Sequence, residues 1–352
     1  MDIHRIFRKK LLEVLENTSF SDAYVHEKIA QVLQENEFLL MNELKESSTI
    51  SELIHDSLNY LQAENKEFEF KSGISNLDAV TGGFGMGEFV LIGARPAMGK
   101  SKFLQYMMLE GARKFPVLYF ALDTGKDNFI HGLISSLTEI NYSEFKKKNI
   151  STEQWKLIER VKNELENLPI YISDETSKSM QAFKSFCNRY IDEKGVKVIF
   201  IDFLQLMGSN RYRHQRELEL GYISRELKNL AREKNVCVMA TCQLSRSCEY
   251  RGGDKRPILS DLRESGSFEQ DADKVLFLYR PEYYGFNEDE DGDSTKNIME
   301  INVAKNRNGY IANVQVKHNL PFGGIIPFVP YERKIHFSPD RLREIEDDVA
   351  PF

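Results

Sequence analysis

At 352 residues, 41% of them hydrophobic and 29% charged, the chain is long enough to bury one large core and to carry an appendage. No run approaches the roughly 18 apolar residues of a membrane span, and the basic opening stretch through Arg5, Arg8, Lys9 and Lys10 lacks the apolar core of a secretory leader. The net charge of −7 is uneven: Glu288, Asp289, Glu290, Asp291 and Asp293 form one acidic loop, five acids against two arginines form the tail from Asp340, and the remainder is close to neutral, so the overall sign does not exclude a nucleic-acid partner.

Residues 1–46 read as a small helical region. Ile3, Phe7, Leu11 and Leu15 fall on one helical face, and Val25, Ile29 and Val32 on another. Residues 47–70 read as a linker helix and connector. Thr49-Ile50-Ser51-Glu52 has the form of a capping box, and Ile50, Ile54, Leu58 and Leu61 make a single narrow stripe. A short helix with one stripe does not stabilise itself, so it needs a surface to dock on, such as that of another subunit.

Residues 71–337 read as an α/β domain with a mostly parallel central sheet. Apolar strand candidates at Phe89–Ile92, Val117–Leu122, Ile170–Ile172, Val198–Ile201, Val236–Thr241, Val275–Tyr279 and Ile298–Val303 alternate with helical stretches. Ligands of such sheets bind at the carboxyl ends of the strands. Residues 338–352 are left as an acidic tail. The four cysteines, Cys187, Cys237, Cys242 and Cys248, show no Cys-x-x-Cys metal spacing and read as buried free thiols of a reducing cytoplasm.

The first chemical motif follows the first strand of that domain. Ala94, Arg95, Pro96, Ala97, Met98, Gly99, Lys100 and Ser101 stand between an apolar strand and a helical stretch, the context in which a phosphate-binding loop has meaning. Its backbone N–H groups and the start of the next helix wrap phosphates. Lys100 reaches the β- and γ-phosphates of ATP, and the Ser101 hydroxyl holds Mg²⁺. Ala94 occupies the first glycine position, a small departure. About a hundred residues later, Val198-Ile199-Phe200-Ile201 ends in Asp202, as expected of the carboxylate that orients Mg²⁺. Gln243, at the end of a third apolar run, can sense the γ-phosphate; without the other motifs it would be a strand-terminal amide in a turn.

These segments, with Ile201 to Met207, Gln243 to Ser247, Asp254 to Asp273 and Ala304 to Gly309, resemble the replicative DNA helicases of the DnaB type over residues 48 to 310. Leu262-Arg263-Glu264-Ser265-Gly266 is the most specific part, because RecA recombinases and related ATPases share the core without it. The resemblance implies a ring of six RecA-like domains, ATP at each interface and single-stranded DNA in the channel. It implies that Lys305 and Arg307 reach across to the neighbour's ATP, where an added arginine stabilises transition-state charge; a solvated basic turn is the plain alternative. Arg263, Glu264 and Gly266 fall at the family's DNA-backbone loop, with Arg263 binding phosphate, Gly266 offering an unhindered N–H and Glu264 shaping the loop.

Two departures stand out. The family carries a catalytic glutamate where Val117 to Leu122 leads into Asp123, one methylene shorter, so a slower base is expected. The N-terminal region is less than half the family's usual length, which leaves its collar, the primase contact and a loader unassigned. The reading is an ATP-driven hexameric helicase of DNA replication. Its rivals are an ATP-gated DNA-binding or assembly protein and a RecA-like recombinase.

Overall fold

The computed structural model describes residues 49–62, 69–175, 179–209, 212, 215–289, 292–319 and 336–337, with isolated positions before residue 49. The chain divides into two compact units, Met1–Lys66 and Glu67–Phe352.

In the first unit, Val25, Ile29 and Val32 are helical and Val32 is buried, whereas Ile3, Phe7, Leu11 and Leu15 lie outside the described residues. Helix α1 (Ile50–Gln62) starts at the expected capping box. The Thr49 amide donates to the Glu52 carboxylate at 2.7 Å, and the Glu52 amide donates to the Thr49 hydroxyl at 3.3 Å. Two of the free amides at the helix start are satisfied in this way. Ile50, Ile54 and Leu58 all stand exposed on α1, so its apolar stripe is uncovered among the described residues; the Leu61 side chain lies outside the described part.

The second unit is built on one sheet. In chain order its elements are β1 (Glu69–Phe70), α2 (Ser75–Thr81), β2 (Phe84–Gly85), β3 (Phe89–Ala94), α3 (Lys100–Ala112), β4 (Val117–Ala121), α4 (Lys126–Thr138), α5 (Tyr142–Lys147), α6 (Thr152–Glu166), β5 (Ile170–Ser173), α7 (Met180–Lys194), β6 (Val198–Asp202), α8 (Arg216–Lys234), β7 (Cys237–Gln243), α9 (Ser247–Tyr250), α10 (Gly266–Asp271), β8 (Lys274–Tyr279), β9 (Ile298–Asn306), β10 (Ala312–Lys317) and β11 (His336–Phe337). Strands β8, β3, β7, β6, β4 and β5 run parallel in that spatial order. Strands β9, β10 and β11 continue the sheet antiparallel beyond β8.

Burial explains the continuous apolar runs. Val90 and Ile92 of β3 face a core layer with Phe103, Leu104 and Met107 of α3, while Phe89 and Leu91 face a second layer with Leu227 and Leu230 of α8. A strand covered on both faces reads as an unbroken hydrophobic run. All the expected strands are present. Strand β10 is an addition to them. It is the hairpin partner of β9, and its alternating burial reflects one covered face. All four cysteines are buried and free, and burial pushes the Cys242 thiol up to about 12.

The sheet is pinned at the amino end of β3 by charged groups. Asp273 accepts from the Phe89 amide at 2.8 Å and from Lys228 at 2.6 Å, and the buried Lys274 pairs with Glu88. At the carboxyl end, backbone packing is tight. A Cβ placed on Gly93 would meet the Phe277 ring at 2.8 Å and the Leu244 side chain at 2.9 Å. Gly93→Ala should therefore destabilise the domain by about 1–3 kcal/mol through overpacking. Urea denaturation of the purified variant measures this; an unchanged midpoint would mean that β3 has room there.

Candidate nucleotide site

The loop between β3 and α3 has the backbone that anion binding needs. Ala97 (φ 66°) and Gly99 (φ 92°) are both left-handed. Such alternation turns successive N–H groups inward to form a concavity for anions. Gly99 is also the N-cap of α3, with no side-chain cap and no acid in the first helical turn. The positive end of the helix dipole is thus left for an external anion. Of the loop side chains, Met98 is buried, Pro96 and Ala97 are exposed, and Arg95 is turned away. The Arg95 guanidinium donates to Glu249 at 2.8 Å and to the Leu244 carbonyl at 2.7 Å. Its contribution is to tie the loop to the segment after β7.

Lys100 and Ser101 open α3, both half-buried. Burial lowers the Lys100 ammonium below the usual lysine range, while the charges of Asp202 and Asp123 act in the opposite direction. Lys100 is therefore an electrostatic neighbour of both Asp123 and Asp202, which lie well apart from it in sequence. Register accounts for this. Ala121 of β4 pairs with Asp202 of β6, and the Leu122 amide donates to the Asp202 carbonyl at 2.9 Å. Asp123 follows directly and is exposed.

Asp202 is buried, and its carboxylate is held at both oxygens. Thr241 donates its hydroxyl to Oδ1 at 2.6 Å, and Tyr119 donates to Oδ2 at 3.3 Å. Burial, then the Asp202 charge, pushes the Tyr119 phenol well up, so it remains a donor. A buried carboxylate fixed at one orientation, whose charge is felt by the helix-opening Lys100, has the oxygen chemistry that a hard divalent cation takes.

Gln243 closes β7 with its side chain exposed. Its backbone is clamped by the Gln205 amide, which accepts from the Gln243 N–H at 3.2 Å and donates to the Gln243 carbonyl at 3.0 Å. A cavity of about 400 Å³ opens here, lined by Arg95, Phe203, Gln205, Gln243, Leu244 and Arg246.

Lys305 and Arg307 lie elsewhere. Lys305 pairs in register with Val275, and the Arg307 amide donates to the Asp273 carbonyl at 3.0 Å. Asp273 in turn bonds to Phe89, the first residue of β3. The Arg307 backbone thus sits at the amino end of β3, roughly 17 Å of strand from the phosphate loop at about 3.3 Å per residue, and Lys305, two strands over, lies level with Leu91 in the middle of β3. Within the chain they cap α10: Lys305 donates to the Glu269 carbonyl at 2.5 Å, and Arg307 to the Gln270 carbonyl at 2.7 Å. Arg307 keeps a side chain 47% exposed. The backbone of Arg263 and Glu264 forms a 3₁₀ turn (Leu259–Ser265) that runs into Gly266 at the start of α10; the side chains of Arg263 and Glu264 lie outside the described part. Arg251 anchors this turn through Asp261, which also accepts from the Ile258 amide at 2.9 Å.

Comparison with known proteins decides what this combination belongs to. Residues 70–323 match the model of the DnaB-like helicase C terminal domain. This chain belongs to the DnaB-like helicase family. It is 36% identical to a probable replicative DNA helicase of Trieres chinensis over 312 residues, covering 86% of this chain and 68% of that protein. It is 36% identical to the replicative DNA helicase DnaC of Bacillus subtilis, covering 85% and 67%. Among solved structures, an isolated ATPase domain superposes with a TM-score of 0.72 at 34% identity, over 80% of this chain and 99% of that one. A DnaB-like replicative helicase, described with its interactions with primase, gives 0.74 at 31% identity over 92% and 76%. The chain is a DNA helicase of replication and an ATP hydrolase, and the comparisons lend no support to its rivals.

The motifs do not single out Thr241, Tyr119 or Gln205. Each supports a residue that the motifs do identify. Thr241→Val keeps the shape and removes the hydroxyl on Asp202. In this DnaB-like helicase it should lower ATP hydrolysis by about 10- to 100-fold, as loss of a partner behind a ligand does, with the fold intact by circular dichroism. Full activity would show that Asp202 does not depend on that bond.

Proposed function

We propose that this chain works as a ring of six copies that binds ATP and Mg²⁺ between neighbours and uses hydrolysis to travel along single-stranded DNA, unwinding duplex ahead. The observation that carries this reading is the separation within one chain: the phosphate loop is at one end of β3, Arg307 is at the other, and Lys305 lies two strands away in the sheet. A head-to-tail contact brings the two ends of different copies together, and closing that contact makes a ring.

In this reading the backbone from Ala94 to Gly99 cradles the phosphates, with Pro96 contributing shape only because it has no N–H. Lys100 holds the β- and γ-phosphates. Ser101 and Asp202 hold Mg²⁺, which neutralises phosphate charge when bound. Asp123 takes the proton of the attacking water, and Gln243 reads the γ-phosphate. Lys305 and Arg307 serve the neighbour's site, where their charge acts on the transition state. The exposed stripe of Ile50, Ile54 and Leu58 docks on a neighbouring copy and holds the ring together.

The turn carrying Arg263, Glu264 and Gly266 tracks the DNA backbone, so binding is salt-dependent and has little sequence preference. The partner proteins in this reading are a primase, with which the solved DnaB-like neighbour interacts, and a helicase loader.

Mixed rings test this directly. Arg307→Ala and Lys100→Ala should each abolish most ATP turnover, with Arg307→Ala retaining nucleotide binding. Combining the two variants should restore part of the activity, because a wild-type Lys100 site then meets a wild-type Arg307 from the other chain. Absence of recovery at every mixing ratio, with mixed rings present by mass, would rule out a role in trans.

A further inference from the structure

The left-handed conformation of Ala97 needs an explanation that the phosphate-loop motif does not contain. Glycine adopts a positive φ freely, as Gly99 does, but a Cβ crowds the following carbonyl. The local turn around Ala97 is closed only by a long bond, from the Met98 amide to the Arg95 carbonyl at 3.4 Å. The firmer hold comes from another strand. Arg280 Nη1 donates to the Ala97 carbonyl at 3.1 Å.

Arg280 reaches the loop because β8 lies parallel to β3. Gly93 pairs with Phe277, so the residue just past the end of β8 stands level with the loop. Its guanidinium is fixed on its other edges as well. Nη2 donates to Glu282 Oε1 at 2.6 Å, and Nε donates to His318 Nε2 at 3.2 Å. Both partners are anchored: Glu282 Oε2 accepts from the Asn297 amide at 2.8 Å, and the His318 amide donates to the Asn297 carbonyl at 2.8 Å. The His318 side chain is 1% exposed. Its Nε2 also lies 3.2 Å from Glu282 Oε1. Burial, helped by the Arg280 charge, brings its imidazole down to about 4, so it is neutral at neutral pH, and the tautomer with the proton on Nδ1 is the one that accepts from Arg280. A flexible arginine is thereby converted into a fixed strut between the β8 edge and the phosphate loop.

We propose that Arg280 is a positioning residue of the phosphate loop: its bond to the Ala97 carbonyl holds Ala97 left-handed, and Glu282 and His318 hold the guanidinium in place for that purpose. The proposal rests on the loop being the nucleotide site. It assigns Arg280 no contact with the nucleotide. Its effect is to keep the loop in the conformation that presents its amides.

The consequence is a specific suppressor. Without the strut, Ala97 bears the left-handed penalty alone, the competent fraction of loops falls, and apparent affinity falls in proportion. Glycine in place of Ala97 carries no such penalty. Binding of a fluorescent ATP analogue and steady-state hydrolysis would be measured for wild type, Arg280→Ala, Ala97→Gly and the double variant. Arg280→Ala should weaken nucleotide binding by about tenfold when Ala97 is present. The same change should cost only about twofold in the Ala97→Gly background, where about half the loops are competent unaided. His318→Phe, which removes one brace, should show a smaller loss with the same relief by Ala97→Gly. Arg280→Lys keeps one donor and should fall between wild type and Arg280→Ala, which provides a milder variant should the alanine fail to fold.

An equal loss in both backgrounds would overturn the proposal, since Arg280 would then act on the nucleotide itself; so would no loss in either. Lys100→Ala is measured alongside. Nucleotide binding unaffected by that change would refute the loop as the site, an outcome distinct from any pattern in the Arg280 series.

Discussion

Everything in the second unit is arranged around one strand, β3, whose two ends do different work. Its carboxyl end releases the chain into the phosphate loop, and its amino end is bonded to Asp273, the residue that also fixes Arg307. The strand is buried along its whole length, so neither end can shift relative to the other without breaking the sheet. The cations that the proposed chemistry needs are therefore held at a fixed distance from the chain's own phosphates. On the proposed reading, a single copy carries both halves of a site and cannot bring them together.

The two ends are linked through α10. This short helix begins at Gly266, directly after the turn proposed for DNA, and its last carbonyls are held by Lys305 and Arg307. Arg225 binds Asp271 at the helix end at 2.7 Å. A displacement of the turn would thus be felt at the cations through six residues of helix. On the other side, the loop and the Asp202 carboxylate are supported by neighbouring residues: Thr241 and Tyr119 behind Asp202, Gln205 behind Gln243, and Arg280 behind Ala97. Small preorganising contacts of this kind keep a phosphate site from having to rearrange during reaction.

The sequence reveals the parts of the site that are local. A strand, a glycine-lysine-serine and a helix are contiguous, so the phosphate loop can be read directly. The buried parallel strands are legible because both their faces are covered, which leaves continuous apolar runs at Phe89, Val117, Val198 and Val236. What cannot be read depends on register. Thr241 looks like one hydroxyl in an apolar strand until β7 is placed beside β6, opposite Asp202. Arg280 looks like a charge at a strand end until β8 is placed against β3. Strand β10 escapes a reading by apolar runs because its alternating residues have meaning only as the hairpin partner of β9. The stripe of α1 is legible from periodicity alone, and its exposure in the structure agrees with a helix that needs an external surface.

The measurement that bears most directly on this account is the specific rate of ATP hydrolysis as a function of protein concentration, read together with molecular mass in the same solutions. If the site is completed only between copies, the rate per chain is close to zero where the mass is that of one chain, and it climbs as the sixfold mass appears. A single chain that hydrolyses ATP at the full specific rate would contradict the account, because β3 would then not be keeping the two halves of the site apart.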